Sequence, residues 1–461
     1  MSRWIPDSPA EEAEMLRSLG LPSFDALFAD IPKGVRVGRM GIGPGRTEPE
    51  VVADVDKILA RNKPASRFSN FLGGRISSRY LPAVVDALIS RSEFLTSYTP
   101  YQPEASQGML QALFEFQSLW VELSGLDVAN ASLYDGATAA GEAMLLCRRI
   151  HPGDRFLVPA SLPWEEKSVL GNYGVGLGLK VAEIPFDPVT GTLDGEWIDR
   201  EVRRGDVFGV LADVPNGFGL VDERVLDLKS AIGTVPLVVS ADPLALTVLQ
   251  PPGEYGADIV VGEGQGFGMP PSFGGPLLGL MACRREHVRF LPGRLVGATQ
   301  DVNGRRAYTL TLQTREQHIR RSRATSNICT NQSLVALAFV LYASSVGPTR
   351  LARLQAELAE KAHALATALH GLEGLKVPRF TAPFLGEFTM ELAHGNAVGF
   401  LDRMLAKGVL AGHSLSDPLR AVKSGPELVH VAPSQAADTA DIRKYVRAVR
   451  ETLAPGPAGG P

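Results

Sequence analysis

The chain has 461 residues, 45% of them hydrophobic and 21% charged, which is enough to bury two or three domain cores. Its 46 basic and 50 acidic residues leave a net charge of −4, so nothing general favours nucleic-acid binding. No uncharged apolar run is long enough for a bilayer, Met1–Asp7 leads into no signal-like apolar segment, and no C-x-x-C pair joins Cys147, Cys283 and Cys329. A soluble cytoplasmic protein is expected, with no disulfide framework, no metal site and core thiols.

The predicted elements begin with a capped helix over 8–19, with Ser8 as N-cap, Pro9 at the first helical position and Glu11 returning a bond to the cap. A second short helix is expected over 23–29, stopping before Pro32. Neither buries its apolar face alone, so residues 1–60 read as an N-terminal helical arm. From about 50 to 325 apolar strands alternate with amphipathic helices. Leu110, Leu113, Phe116, Trp120 and Leu123 mark one face of a helix over Gln107–Ser124, ended by Gly125. Strands are expected at 129–133, 156–159, 207–213, 237–242 and 259–262, which makes a mostly parallel sheet covered by helices on both faces. The glycines of 171–178 and 262–268 read as loop markers that match no P-loop or dinucleotide fingerprint. Helices at 331–345, 348–372 and 438–453 and strands at 375–380, 388–392 and 428–431 make a smaller α+β domain. The expected division is a large α/β domain over 61–325, a small domain over 326–453, and a disordered Pro/Gly tail over 454–461.

Four segments carry candidate chemistry. Tyr134-Asp-Gly-Ala-Thr follows a strand and opens a helix, so Gly136 and Thr138 offer backbone N–H groups to an anion at the helix's positive end. Small residues in such a turn equally serve packing. Asp242 closes an apolar run where a pyridoxal-phosphate (PLP) enzyme holds its pyridine nitrogen, or it terminates the strand and caps the next turn of the chain. The expected lysine-bearing turn reads Gly262-Glu-Gly-Gln265-Gly, and no lysine occurs between Lys229 and Lys361. With no lysine nearby, capping is the favoured role for Asp242. Ser97-Tyr98-Thr-Pro-Tyr101-Gln102-Pro-Glu104 is polar, aromatic and stiffened by two prolines, which suits a small polar ligand or a rigid surface turn. Arg315-Glu-Gln-His-Ile-Arg-Arg-Ser-Arg is either a solvated face or an anion-binding interface strip.

These segments, with Ala29-Asp-Ile-Pro, Leu123-Ser-Gly-Leu-Asp-Val-Ala-Asn and Ala324-Thr-Ser-Asn-Ile-Cys-Thr-Asn-Gln, resemble the P-protein family of the glycine cleavage system over about residues 30–335. The likeness is to the N-terminal half of its single-chain form, or the first subunit of its two-subunit form. The resemblance implies the large domain of fold type I PLP enzymes, the aminotransferase-like architecture, plus a small domain. It implies PLP bound covalently by a second, lysine-bearing subunit, two of each in the assembly, and a degenerate site in this chain at Gly136, Thr138, Asp242 and Gln265. The implied reaction decarboxylates glycine and passes the aminomethyl group to the lipoyl arm of the H-protein. This chain would contribute Tyr98, Tyr101, Gln102, Glu104, Thr325, Ser326 and Asn327 across the interface. Two alternatives are a stand-alone aminotransferase or desulfurase, and a degenerate subunit that only supports its partner.

Overall fold

A computed structural model of the chain describes residues 8–38, 41–95, 98–415 and 426–454. Ser97 and residues 455–461 of the expected tail lie outside that description. The chain divides into two compact units, Met1–Lys63 and Pro64–Pro461.

In the first unit the helix Pro9–Ser18 carries the expected capping box, Ser8 and Glu11 satisfying each other's backbone N–H groups. Phe24–Phe28 is a single 3₁₀ segment, tighter than the expected α-helix, because Pro32 comes too soon for a longer one. Glu48–Leu59 opens with a second capping box, Thr47 and Glu50. Met15, Leu19, Phe24, Val51, Val55 and Ile58 all remain exposed in this unit.

The second unit is built on two main sheets, beside two two-stranded ones, Ser69–Asn70 with Val409–Leu410 and Val296–Gln300 with Arg306–Leu310. The larger has seven strands in the spatial order Val128–Ala129, Gly279–Cys283, Ile259–Glu263, Leu237–Ala241, Val207–Val214, Arg155–Pro159, Lys180–Ile184. The last five are mutually parallel, and Gly279–Cys283 runs antiparallel to both its neighbours. Every residue of Val207–Val214 and Leu237–Ala241 is buried, as a sheet covered on both faces requires. The smaller sheet is antiparallel, ordered Leu375–Lys376, Phe388–Leu392, Glu427–Val431, His413–Ser414.

Membership of the two cores does not obey a single cut in the sequence. Phe71 is fully buried with Phe388, Phe400 and Tyr445 of the smaller sheet's core, whereas Val335 to Ala343 of the helix Ser333–Val346 pack with Gln107–Ser124 beside the larger sheet. Phe339 stacks on Phe267, with centroids 4.8 Å apart, and meets Phe116 edge-on at 5.4 Å. No single helix among the described residues is long and apolar enough to cross a membrane.

Several local expectations are corrected. Gly171 and Gly174 belong to the helix Trp164–Val175, where a Cβ at Gly174 would press on the Leu179 carbonyl at 2.9 Å. Gly262 lies inside the strand Ile259–Glu263, and a Cβ there would strike the Ala241 carbonyl of the adjacent strand. The strand expected at 129–133 is only Val128–Ala129, with Leu133 joined to Gly279 by an isolated bridge, and that at 375–380 is only Leu375–Lys376. The helix from Pro348 ends at Leu369. Cys147 and Cys283 are core thiols, but Cys329 is exposed, because the segment leading to the Ser333–Val346 helix runs along the surface.

Phe339→Ala should lower unfolding free energy by about 3–5 kcal/mol, since a large buried ring leaves a cavity. Phe24→Ala in the exposed first unit should change it by less than about 0.5 kcal/mol. Urea denaturation of both variants checks the contrast, and equal effects would contradict this assignment of the core.

Candidate functional site

Between the two sheets lies a cavity of about 100 Å³. Its wall is built around residues 72–80, which leave the smaller sheet's core at Phe71 and cross to the larger sheet. A guanidinium drawn into such a place needs acceptors, of which carboxylates are the strongest. Arg75 donates to Asp213 at 2.7 Å, near the end of Val207–Val214, and to Glu166 on the Trp164–Val175 helix. Burial opposes the Arg75 charge, but Asp213 and Glu166 outweigh it and hold its pKa above the ordinary value. Burial in turn pushes Asp213 up to about 7 against the pull of Arg75. The Gly74 N–H donates to both oxygens of Glu387 at 3.2 Å, and His430 Nε2 lies 2.6 Å from the same carboxylate. Burial works against the Glu387 charge, yet these bonds leave it below the usual carboxylate range. Burial and the neighbouring His430 bring His413, on the same wall, down to about 4, which keeps it neutral at ordinary pH.

Asp242 stands where expected, one residue beyond Leu237–Ala241. Its Oδ1 accepts the Leu244 N–H at 2.8 Å, which is the capping role, and also lies 3.5 Å from Arg79 Nη2. Arg79 rests over the Phe267 ring, 5.4 Å from its centroid, with its side chain only 7% exposed.

The expected anion turn is also present. Asp135 caps the helix Gly136–Ile150 by accepting the Thr138 N–H at 2.7 Å, so that N–H is already used. The Gly136 N–H donates to Glu263 Oε2 at 2.9 Å, while Glu263 Oε1 accepts from Gln265 N–H at 2.9 Å and Leu278 N–H at 2.8 Å. Burial nevertheless pushes Glu263 up to about 7 against those three donors. Gln265 is fully buried, accepting from the Ser77 N–H at 3.1 Å and donating to the Met269 carbonyl. Of these residues Asp242 lines the cavity, with Arg79 and Glu263, which the motif analysis did not single out; Gly136 and Gln265 connect to it through Glu263.

The other candidates lie elsewhere. Tyr98 is 82% exposed, and among the described residues no side-chain hydrogen bond is made by Tyr98, Gln102 or Glu104. Tyr101 is half-exposed, with its hydroxyl 3.3 Å from Arg294 Nη2 and its ring edge-on to His318. Arg294 also donates to Thr330 Oγ1 at 3.2 Å, Asn331 Oδ1 at 2.7 Å and the Cys329 carbonyl at 2.9 Å, so it ties Tyr101 to the segment after Asn327. Thr325 donates to the Arg315 carbonyl at 3.1 Å and accepts from Arg149, and Ser326 Oγ accepts the Ile328 N–H at 3.0 Å. Asn327 is exposed. Of the arginine strip, Arg315 is buried and bound to the Leu291 and Gly293 carbonyls, while Arg320, Arg321 and Arg323 face outward.

The family model of the glycine cleavage system P-protein matches residues 2–399. The chain belongs to the glycine cleavage system P-protein family. It is 43% identical over 418 residues to the probable glycine dehydrogenase (decarboxylating) subunit 1 of Geobacillus kaustophilus, covering 90% of this chain and 92% of that one. The protein of the same name from Aeropyrum pernix is 42% identical over 422 residues, 89% of this chain and 90% of that one. The crystal structure of a glycine decarboxylase (P-protein) in inhibitor-bound form is similar at a TM-score of 0.87, with 38% identity, over 98% of this chain and 100% of that chain. The sphingosine-1-phosphate lyase of Burkholderia pseudomallei shares the fold at a TM-score of 0.62 and 15% identity, covering 92% and 94% of the two chains. The fold of this P-protein family member is that of fold type I PLP enzymes.

The cavity of this family member does not fit covalently held PLP. Among the described residues lining it there is no lysine. Lys229 pairs with Asp258 at 2.7 Å, and Lys361 donates to the Gln435 carbonyl at 2.6 Å. Glu263 takes the N–H at the start of the Gly136–Ile150 helix, and a side chain at Gly266 would meet Arg79 Nη1 at 2.9 Å and Ser77 Oγ at 2.7 Å.

The raised carboxyls have a measurable signature. A folded-state pKa above the unfolded value means that the folded protein binds the extra proton between the two, so stability falls as pH rises through that window. For Asp213 the window runs from about 4, its unfolded value, to about 7. Asp213→Asn should flatten the decline in urea midpoint between pH 4.5 and 7, and an unchanged slope would show that Asp213 is ionised throughout.

Proposed function

We propose that this chain is the lysine-free subunit of a two-subunit glycine decarboxylase. Its reaction is the decarboxylation of glycine, with transfer of the aminomethyl group to a lipoylated H-protein. One observation carries this reading. A family member keeps the strand, aspartate and anion turn of a PLP site, yet offers no lysine and fills the space with its own charges.

PLP, held by the lysine-bearing partner, supplies the electron sink for loss of CO2. This chain's residues position and enclose the partner's site. Tyr98, Gln102, Glu104 and Asn327 are exposed polar groups on short rigid segments, free to meet a second chain. Tyr101 and Thr325 are fixed by Arg294 and Arg315 respectively, which pre-orients both loops. Relatives named "subunit 1" support a second subunit, and the exposed apolar residues of the first unit suit burial against one. Two copies of each subunit and a cytoplasmic location complete the proposal, and the bacterial relatives support the location.

A stand-alone aminotransferase or desulfurase would need a lysine at the cavity. Borohydride reduction of the assembled complex, with peptide mapping of the product, should place pyridoxyl-lysine in the partner only. A labelled lysine in this chain would overturn the assignment. A purely supporting subunit is separated by a second measurement. Tyr98→Phe and Asn327→Ala should each cut glycine–bicarbonate exchange by about 10²–10³, the cost of one preorganised hydrogen bond in a closed site. Assembly and the visible absorbance of bound cofactor should persist. Near-normal exchange in both variants would favour the supporting role.

A further inference from the structure

We infer that the cavity is filled by an internal surrogate of the cofactor: the Glu263 carboxylate stands at the anion position and the Arg79 guanidinium at the position facing Asp242. The anion end is the better defined. Glu263 receives three backbone N–H groups, from Gly136, Gln265 and Leu278, at 2.8–2.9 Å, and that of Gly136 belongs to the first residue of a 15-residue helix. A phosphate held there would take the same donors. Gly136 permits this approach because a Cβ there would lie 3.1 Å from Glu263 Cβ and 3.2 Å from its backbone nitrogen.

The cation end is independent of that geometry. Arg79 reaches Asp242 across the cavity, the carboxylate that a pyridinium would face, and its Nε and Nη1 are buried without a hydrogen-bond partner. Its guanidinium also occupies the space into which any side chain at Gly266 would project. Above about pH 7, where the Glu263 carboxyl is ionised, both charges have the sign of the group they replace, so Asp242 and the helix start keep their electrostatic partners without a bound molecule. The position is therefore a latent phosphate site, opened by removing one carboxylate.

Hydrogen exchange of the co-expressed complex, read in peptides covering 134–145, tests this without reference to glycine turnover, so it stands or falls separately from the proposed reaction. Glu263→Ala should speed exchange at the start of the Gly136–Ile150 helix by about tenfold or more. Inorganic phosphate should restore most of that protection, while chloride at equal ionic strength should not, and the unsubstituted complex should respond to neither. Unchanged exchange in the variant, or exchange that phosphate fails to slow, would overturn the inference. If the alanine variant does not assemble, Glu263→Gln keeps the volume and one acceptor but loses the charge. It should lose protection at Gly136 and gain nothing from phosphate. Protection equal to that of the unsubstituted complex would show that the carboxylate charge is unnecessary and would equally overturn it.

Discussion

A buried guanidinium must recover its lost hydration from acceptors, most strongly from carboxylates, and Arg75 meets that constraint by bridging Asp213 and Glu166. Most of the cavity depends on it. Once Arg75 is anchored on the larger sheet, residues 72–80 must span the gap from the smaller core, where Phe71 is held. Along that span the Gly74 N–H meets Glu387, the Ser77 N–H meets Gln265, Arg79 reaches Asp242 and the Tyr80 N–H meets Gln435. Each of these partners comes from a different part of the chain. One short segment thereby joins both sheets and closes the space between them.

The wall of this cavity is dense in charge but chemically quiet. Asp213 is engaged by Arg75, Glu387 by His430 and a backbone N–H, and Glu263 by three backbone N–H groups. His413 is kept neutral by burial and by His430 beside it. None of these groups is poised to attack a carbonyl compound, and the lysines that could do so are committed elsewhere. Within the P-protein family this division fits a chain whose usable polar groups are on its outer loops, as Tyr98 and Asn327 are.

Those loops are held from within. Arg294, itself buried, joins Tyr101 to Cys329, Thr330 and Asn331, and Asn331 passes the connection to the Ala131 carbonyl at 2.6 Å. Buried Arg315 fixes the start of the arginine strip through the Leu291 and Gly293 carbonyls. Two segments far apart in sequence thus share one support, which would preorganise them for the shared site proposed above.

Periodicity and turn chemistry alone determined much of the architecture. Four of the five parallel strands read as short, mostly apolar runs, the Gln107–Ser124 helix carried its own stripe and glycine stop, and Ser8 was legible as the cap of the first helix. The fifth strand, Lys180–Ile184, carries Lys180 and Glu183 and gave no such signal. The missing lysine was also legible, because an absence over 131 residues (230–360) needs no folding to be seen. The groups that fill its place were not. Arg79 and Asp242 are 163 residues apart, Arg75 and Asp213 138 apart, and Gly136 and Glu263 127 apart. No local pattern links such pairs, since each is brought together only when strand ends converge beneath a crossing segment. Cys329 and Arg315 exchanged their expected surroundings for the same reason: residue type sets a preference for burial, but the path of the chain through the packed layers decides which residue is enclosed.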